Sequence, residues 1–198
     1  MTTALRRRLW GDFLNCIFPR SCELCESNPL PELDLCASCF DSFEPVEEPM
    51  CPRCGEVIDG AVSRARACPN CHNQRKPYDF ARAGFRSHHG SRELIHRFKY
   101  ARSFHLGRTL AHMAYQGFQN DPRFAEELNW IVVPVPLHAA RRRKRGFNQA
   151  NEIAHQLARL SGLRKLEVLK RTRPTQTQTK LSRRQRQNNL RGAFKIRP

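Results

Sequence analysis

The chain carries CELC at 22–25, CASC at 36–39, CPRC at 51–54 and CPNC at 68–71, and these four repeats decide how its first 76 residues fold. A CxxC turn brings two thiolates onto one tight knuckle, and two knuckles complete a tetrahedral shell around one metal ion. Eight of the nine cysteines are used this way: Cys22, Cys25, Cys36, Cys39, Cys51, Cys54, Cys68 and Cys71. The intervals between successive pairs are 10, 11 and 13 residues, which is ribbon spacing. Pro52 sets the turn of the third knuckle, and Gly55 is suited to the positive φ that follows its second ligand. The pattern predicts two structural zinc ions. With thiolates at all eight positions, no coordination site is left open for water or substrate. A segment of this length with few large apolar residues depends on the metal to fold.

Ligand pairing is left open by spacing alone. Sequential ribbons join each pair with its neighbour, and each then encloses a hairpin-length insert. A cross-braced arrangement would join the first pair with the third. A disulfide framework needs an oxidising compartment, and the N-terminus does not read as an export signal. Iron–sulfur ligation is the remaining alternative, but the even spacing suits ribbons better. The N-terminal stretch MTTALRRRLWGDFLNCIF reads as an amphipathic helix with Leu9, Phe13 and Ile17 on one face and Trp10 and Leu14 beside them. Cys16, the ninth cysteine, reads as a small buried apolar residue.

The 198 residues include 35 Lys and Arg against 18 Asp and Glu, a formal net charge of +17. No stretch approaches the ~18 consecutive apolar residues of a membrane-spanning helix. The excess charge is concentrated: residues 138–198 hold 18 Lys and Arg but only Glu152 and Glu167 as acids. Such asymmetry points to a polyanionic partner, either nucleic acid or a phosphate-rich small molecule. A solvated basic face is the plainer alternative.

Beyond the linker at Lys76-Pro77-Tyr78 the pattern becomes α/β. Phe80–Phe85 reads as a short strand, Ser91 as the N-cap of a helix to Tyr100, and Leu106, Leu110, Met113, Ala114 and Gly117 as one face of a second helix. Trp130–Val133 reads as a buried parallel strand, Asn148 opens a third helix, and Leu166, Val168 and Leu169 suggest a further strand. The connection PVPLHAARRRKRGFNQ at 134–149 reads as an anion-binding loop. It carries Arg141, Arg142, Arg143, Lys144 and Arg145, then Gly146, then a helix N-terminus whose free N–H groups suit phosphate. Residues 172–180 read as a mobile loop. Lys180, Arg183, Arg184 and Arg186 extend the basic theme and either close over an anion or form one solvated face.

These features resemble the ComF family of competence proteins. The carriers are FPRSCELC at 18–25, the four CxxC pairs, LIHRFKY at 94–100, VPVPLHAARRRKRGFNQA at 133–150, and the Arg186, Asn189, Gly192, Ala193, Phe194 pattern. The resemblance implies a double zinc ribbon at residues 1–76 followed, at 77–198, by a type I phosphoribosyltransferase-like parallel-sheet domain. It implies a role in DNA uptake during natural transformation, or in using DNA as a nutrient. Its partners would be single-stranded DNA or phosphoribosyl pyrophosphate, and a helicase or channel component, in the cytoplasm. Arg145 and Gly146 would lie in the loop that meets pyrophosphate, and Gln178 to Arg186 in or near a flexible covering loop. The family's acidic DD-x-x-TTG-x-T phosphate loop has no counterpart here. The domain is therefore expected to be incomplete at its C-terminal end, and transferase turnover is not expected. Magnesium is implied only if such activity exists.

Overall fold

The computed structural model describes residues 19–58, 66–72, 74, 76–119, 121–126 and 129–197. The amphipathic segment at the N-terminus and Cys16 lie outside them.

Two knuckle pairs come first, with one short helix, α1 (Ala37–Asp41), opening on the second knuckle. The Cys36 side chain caps that helix by accepting the Cys39 amide. Then come α2 (His89–Tyr100), α3 (Leu106–Gln119), α4 (Pro122–Glu126), β1 (Ile131–Val132), α5 (Ala139–Arg145), α6 (Gln149–Ser161), β2 (Arg164–Lys165), β3 (Leu169–Arg171), a 3-10 turn (Gln178–Lys180), α7 (Arg183–Leu190) and β4 (Phe194–Ile196). Strands β1 and β2 pair in parallel, Ile131 opposite Arg164 and Val132 opposite Lys165. The connection between them runs through α5 and α6, as a parallel pair requires. Strands β3 and β4 form a separate antiparallel pair, with Lys170 opposite Lys195.

The main core is built by α2 and α3. Leu94 and Phe98 of α2 and Leu106, Leu110 and Met113 of α3 recur at helical spacing and are buried together. The same cluster includes Cys22, Leu35, Cys36 and Phe43, so the first knuckle pair is part of this core. Hydrophobic burial here therefore crosses residue 76. Helix α6 lies along α3, with small residues Ala111 and Ala154 buried on the two helices.

A second joint is made by glycine. A Cβ placed on Gly117 of α3 would lie 2.4 Å from Cα of Gly84, and one on Gly84 would lie 2.0 Å from the carbonyl oxygen of Met113. The chain leading out of the knuckles thus rests directly on the helix backbone. No other residue type permits that approach.

Several expectations change. Phe80–Phe85 forms no strand; a single bridge pairs Phe85 with Pro45. Its ends pack in ring clusters instead: Phe80 meets the rings of Phe124 and Trp130 edge-on, at 5.3 and 6.1 Å, and Phe85 meets those of Phe40 and Phe43 at 6.0 Å. Helix α2 begins at His89 with His88 as N-cap, so Ser91 is the third helical residue, not the cap. Its hydroxyl still serves the helix start, accepting the His88 amide at 3.0 Å. Strand β1 is parallel as expected but not buried, since Ile131 is 46% exposed. With one neighbouring strand among the described residues, its outer edge stays open. The expected strand at 166–169 is divided. The Leu166 amide still reaches the Val132 carbonyl at 3.0 Å, and the chain then leaves for the second sheet at Leu169.

Candidate metal centres and anion pocket

The eight knuckle thiols fall into two groups, Cys22 with Cys25, Cys36 and Cys39, and Cys51 with Cys54, Cys68 and Cys71. Within each group all sulfur atoms lie within 4.8 Å of one another. This is the sequential pairing; the cross-braced alternative would mix the two sets. The Cys25–Cys36 sulfurs are 3.5 Å apart and the Cys54–Cys68 sulfurs 3.6 Å. A zinc tetrahedron with ~2.3 Å bonds has edges of about 3.8 Å, whereas a disulfide bond is about 2.05 Å. The spacing fits a shared metal and not a covalent bridge, and all eight are free thiols. Both groups are compatible with a structural zinc ion.

Local hydrogen bonds prepare the sulfurs as ligands. The Ser38 hydroxyl, then the Cys39 amide, push the Cys36 thiol down to about 6. At Cys51 burial opposes ionisation, but N–H groups of Cys54, Cys68 and Arg53 outweigh it and the thiol also falls to about 6. Their neighbours move the other way. The Glu56 side chain, then burial, raise Cys68 to about 11. Contact with Cys25, then burial, raise Cys39. Thiols this close resist ionising together, and a bound dication removes that resistance. Gly55 takes φ +70 after the Cys54 ligand, as the turn demands. His72 is exposed beside a complete set of four sulfurs.

The two groups are attached differently. The first is bound to α2 and α3 by burial and by side-chain bonds. Thr109 of α3, fully buried, accepts the Asp34 amide at 3.0 Å and donates to its carboxylate at 3.1 Å. Arg97 of α2 donates to the Glu23 carbonyl at 2.5 Å. The second group has polar attachments. The Ala81 amide donates to the Arg53 carbonyl at 2.8 Å, Arg123 to the Pro52 carbonyl at 3.0 Å, and Arg183 to Asn70 at 2.7 Å.

The basic run at 141–145 is helix α5, not a loop. Arg and Lys are good helix formers. His138 starts the helix, its Nδ1 accepting the Ala140 amide at 3.3 Å, and Gly146 ends it at φ +86. His138 is thus a cap. As a helix, the run divides its side chains between two cavities. Arg141, Lys144 and Arg145 face one of about 190 Å³, whose other lining residues are Lys99, Tyr100, Arg102 and Thr177. Arg142 and Gly146 face another of about 220 Å³ at the C-terminal end of β1, beside Asn148, Glu152, Glu167 and Arg197. Arg143 lines neither.

Among the described residues the first cavity brings five cations together with no acidic residue in its lining. Arg145 donates to Gln149 at 3.1 Å and to the Tyr100 hydroxyl at 3.4 Å, and its guanidinium lies 5.1 Å from the Tyr100 ring centre. Arg141 donates to the Thr175 carbonyl at 3.0 Å. Near it is Arg171, whose Nε is buried with no hydrogen-bond partner among the described residues. Burial, then the charges of Arg141 and Arg173, push its pKa down. Crowded cations with no counter-charge make a place where an anion is stabilised.

Arg183, Arg184 and Arg186 do not line this cavity. Arg183, Arg184 and Arg186 lie on α7, and Lys180 ends the 3-10 turn before it. Arg183 is engaged with Asn70, and Arg186 donates to the Gln178 carbonyl at 3.1 Å. The expected site therefore separates into a pocket at α5 and an exposed basic helix. Sequence reading missed Lys99, Tyr100 and Arg102 as pocket residues. The signal available was LIHRFKY itself, whose last two residues end α2 in the pocket.

Among the described residues no helix is long and apolar enough to cross a membrane. The double zinc ribbon domain family matches residues 13–72. Competence protein F of Haemophilus influenzae is 32% identical over 164 residues, covering 82% of this chain and 69% of the relative. DNA utilization protein YhgH of Escherichia coli K12 is 28% identical over 181 residues, covering 90% and 78%, and YhgH of Salmonella typhimurium matches to the same extent. No solved structure matches significantly. Two four-cysteine clusters at ribbon spacing and an identity sustained across both parts of the chain lead to one assignment: this protein belongs to the competence protein F (ComF) family.

Proposed function

We propose that the chain handles DNA during its uptake or use, gripping the phosphate backbone of single-stranded DNA at the α5 pocket while the zinc ribbons serve as scaffold. The relatives' names, competence protein F and DNA utilization protein, support the role. One structural observation carries the site: Lys99, Arg102, Arg141, Lys144 and Arg145 converge on a cavity lined, among the described residues, by no acidic group. Neutralising phosphates releases counterions, so affinity must fall steeply with salt. Replacing Arg141 and Arg145 by Gln should lower the log–log salt slope for a single-stranded oligonucleotide by about 0.7 per lost contact. Unchanged affinity and slope would remove the pocket from the interface.

A second reading is a phosphoribosyltransferase-like domain acting on phosphoribosyl pyrophosphate. The β1–α5–α6–β2 order and the cavity at the end of β1 favour it, because open parallel sheets seat ligands there. Glu152 and Glu167 line that cavity and are the acidic groups to which magnesium would have to turn. Calorimetry with the sugar diphosphate, with and without magnesium, separates the readings: heat that is lost in Arg142→Gln but kept in Arg145→Gln would assign the ligand to this second cavity. Docking on a helicase or channel component is a third reading, favoured by the near-neutral charge of residues 1–137, where 17 Lys and Arg face 16 Asp and Glu. Pull-down with a chain altered at Arg53 and Asn70 tests it.

A further inference from the structure

Resting on the DNA-backbone reading of the α5 pocket, we infer that Tyr100 and Phe104 form a stacking platform for unpaired bases, giving the site a preference for single strands. Both rings sit at the turn between α2 and α3, where Tyr100 is 57% and Phe104 49% exposed. Aromatic side chains of this size are normally drawn into a core, so two at one turn call for a purpose. Three of the six positions from Lys99 to Phe104 face the basic pocket: Lys99, Tyr100 and Arg102.

The rings are held in place before any ligand arrives. The Arg145 guanidinium lies 5.1 Å from the Tyr100 centroid and His96 packs at 4.8 Å in a tilted arrangement. Phe104 meets the Phe147 ring at 4.4 Å, one residue beyond the Gly146 cap of α5. Tyr100 is thus held by α5 itself and Phe104 by the residue that follows its cap. Between them Arg102 adopts φ +58, a left-handed conformation that favours glycine. A strained arginine whose side chain lines a charged pocket marks a position kept for its side chain, not for its turn.

Charge and exposed rings together suit one ligand chemistry. Phosphates need the cations, and only an unpaired base offers a free π face to the rings; in a duplex both faces are stacked. Inorganic phosphate or a sugar diphosphate would use the cations and leave the rings idle. No Phe, Tyr or Trp lies between Phe147 and Phe194 in the sequence, and the fold makes up for this by bringing Tyr100 at the end of α2 and Phe104 in the following turn to the basic run.

The test is fluorescence anisotropy on the full zinc-loaded chain, with an oligothymidylate, an abasic oligonucleotide of equal length and a duplex as probes. Wild type should prefer the oligothymidylate to both others. Tyr100→Ala should weaken oligothymidylate binding about tenfold, far more than it weakens abasic binding, and be rescued by Tyr100→Phe. Tyr100→Leu repeats the test with side-chain bulk retained, and Phe104→Ala should add to the loss. Equal wild-type affinity for abasic and thymidylate strands overturns the platform. So does an unaltered Tyr100→Ala, Phe104→Ala double variant, and if Arg141→Gln, Arg145→Gln still loses binding, the charge reading stands without the rings. Wild type that binds no oligonucleotide overturns both.

Discussion

The cluster of Cys22, Cys25, Cys36 and Cys39 sits against Leu35, Phe43, Leu94 and Phe98, whereas Cys51, Cys68 and Cys71 are buried, among the described residues, only with one another and with Cys54. The ligands are the same in kind and number, but the surroundings are not. At the first cluster the metal closes a knot that the helices also need, because Cys22 and Cys36 are buried in the core that α2 and α3 build. At the second the metal holds together a lobe attached by backbone carbonyls and by Arg82, Arg123 and Arg183. One repeated motif thus serves as a keystone in one place and as a fastening for an outlying lobe in the other.

The comparison predicts unequal damage. Cys36→Ser should abolish cooperative folding, since structural zinc contributes ~10–16 kcal/mol and a whole domain is stable by ~5–15. Cys51→Ser should reduce the zinc content from two to one and leave the main thermal transition and the near-ultraviolet circular dichroism in place. Equal collapse of both variants would erase the distinction. A smaller effect is expected from the core side. Phe98→Ala should cost about 3–5 kcal/mol and make the first zinc easier to remove, with the second unaffected. Metal release measured by a chromogenic chelator, variant against wild type, checks the coupling. In wild type, chelation should be biphasic, the second cluster emptying at least about tenfold faster, because an outlying lobe opens locally at lower free energy. A single phase would sink that ranking. The smallest effect lies away from both metals. Arg102→Gly should raise stability by about 1 kcal/mol by relieving the left-handed backbone, keep two zinc ions, and weaken oligonucleotide binding. A stability gain without loss of binding would remove Arg102 from the pocket.

Local features could be read before the structure. Knuckles are set by four-residue turns, so the cysteine spacing named all eight ligands, while which knuckles share a metal is decided only by the fold. Helices α3 and α6 follow from apolar periodicity and, for α6, from Asn148 as its N-cap. What could not be read depends on distant contacts. Nothing near Asp34 announces its bonds to Thr109, 75 residues away. The same holds for Lys99, Tyr100 and Arg102, which become pocket residues only when α5 arrives beside the end of α2. The run at 141–145 is a different case. His138, five helix-forming cations and Gly146 amount to a start, a body and a stop, and the expectation of a loop underweighted them. At Phe80–Phe85 the apolar residues are held by two separate ring clusters, Phe80 on Phe124 and Trp130 and Phe85 on Phe40 and Phe43, so no ladder is needed to bury them.

The crossing of Gly84 over Gly117 has a consequence for any attempt to graft this protein. Only hydrogen atoms separate the two backbones there, so the interface is closed to even the smallest side chain. The knuckle-bearing and helical portions are therefore not interchangeable parts. A chimaera that takes one from a relative will seat correctly only if both donors carry the bare backbone at this crossing.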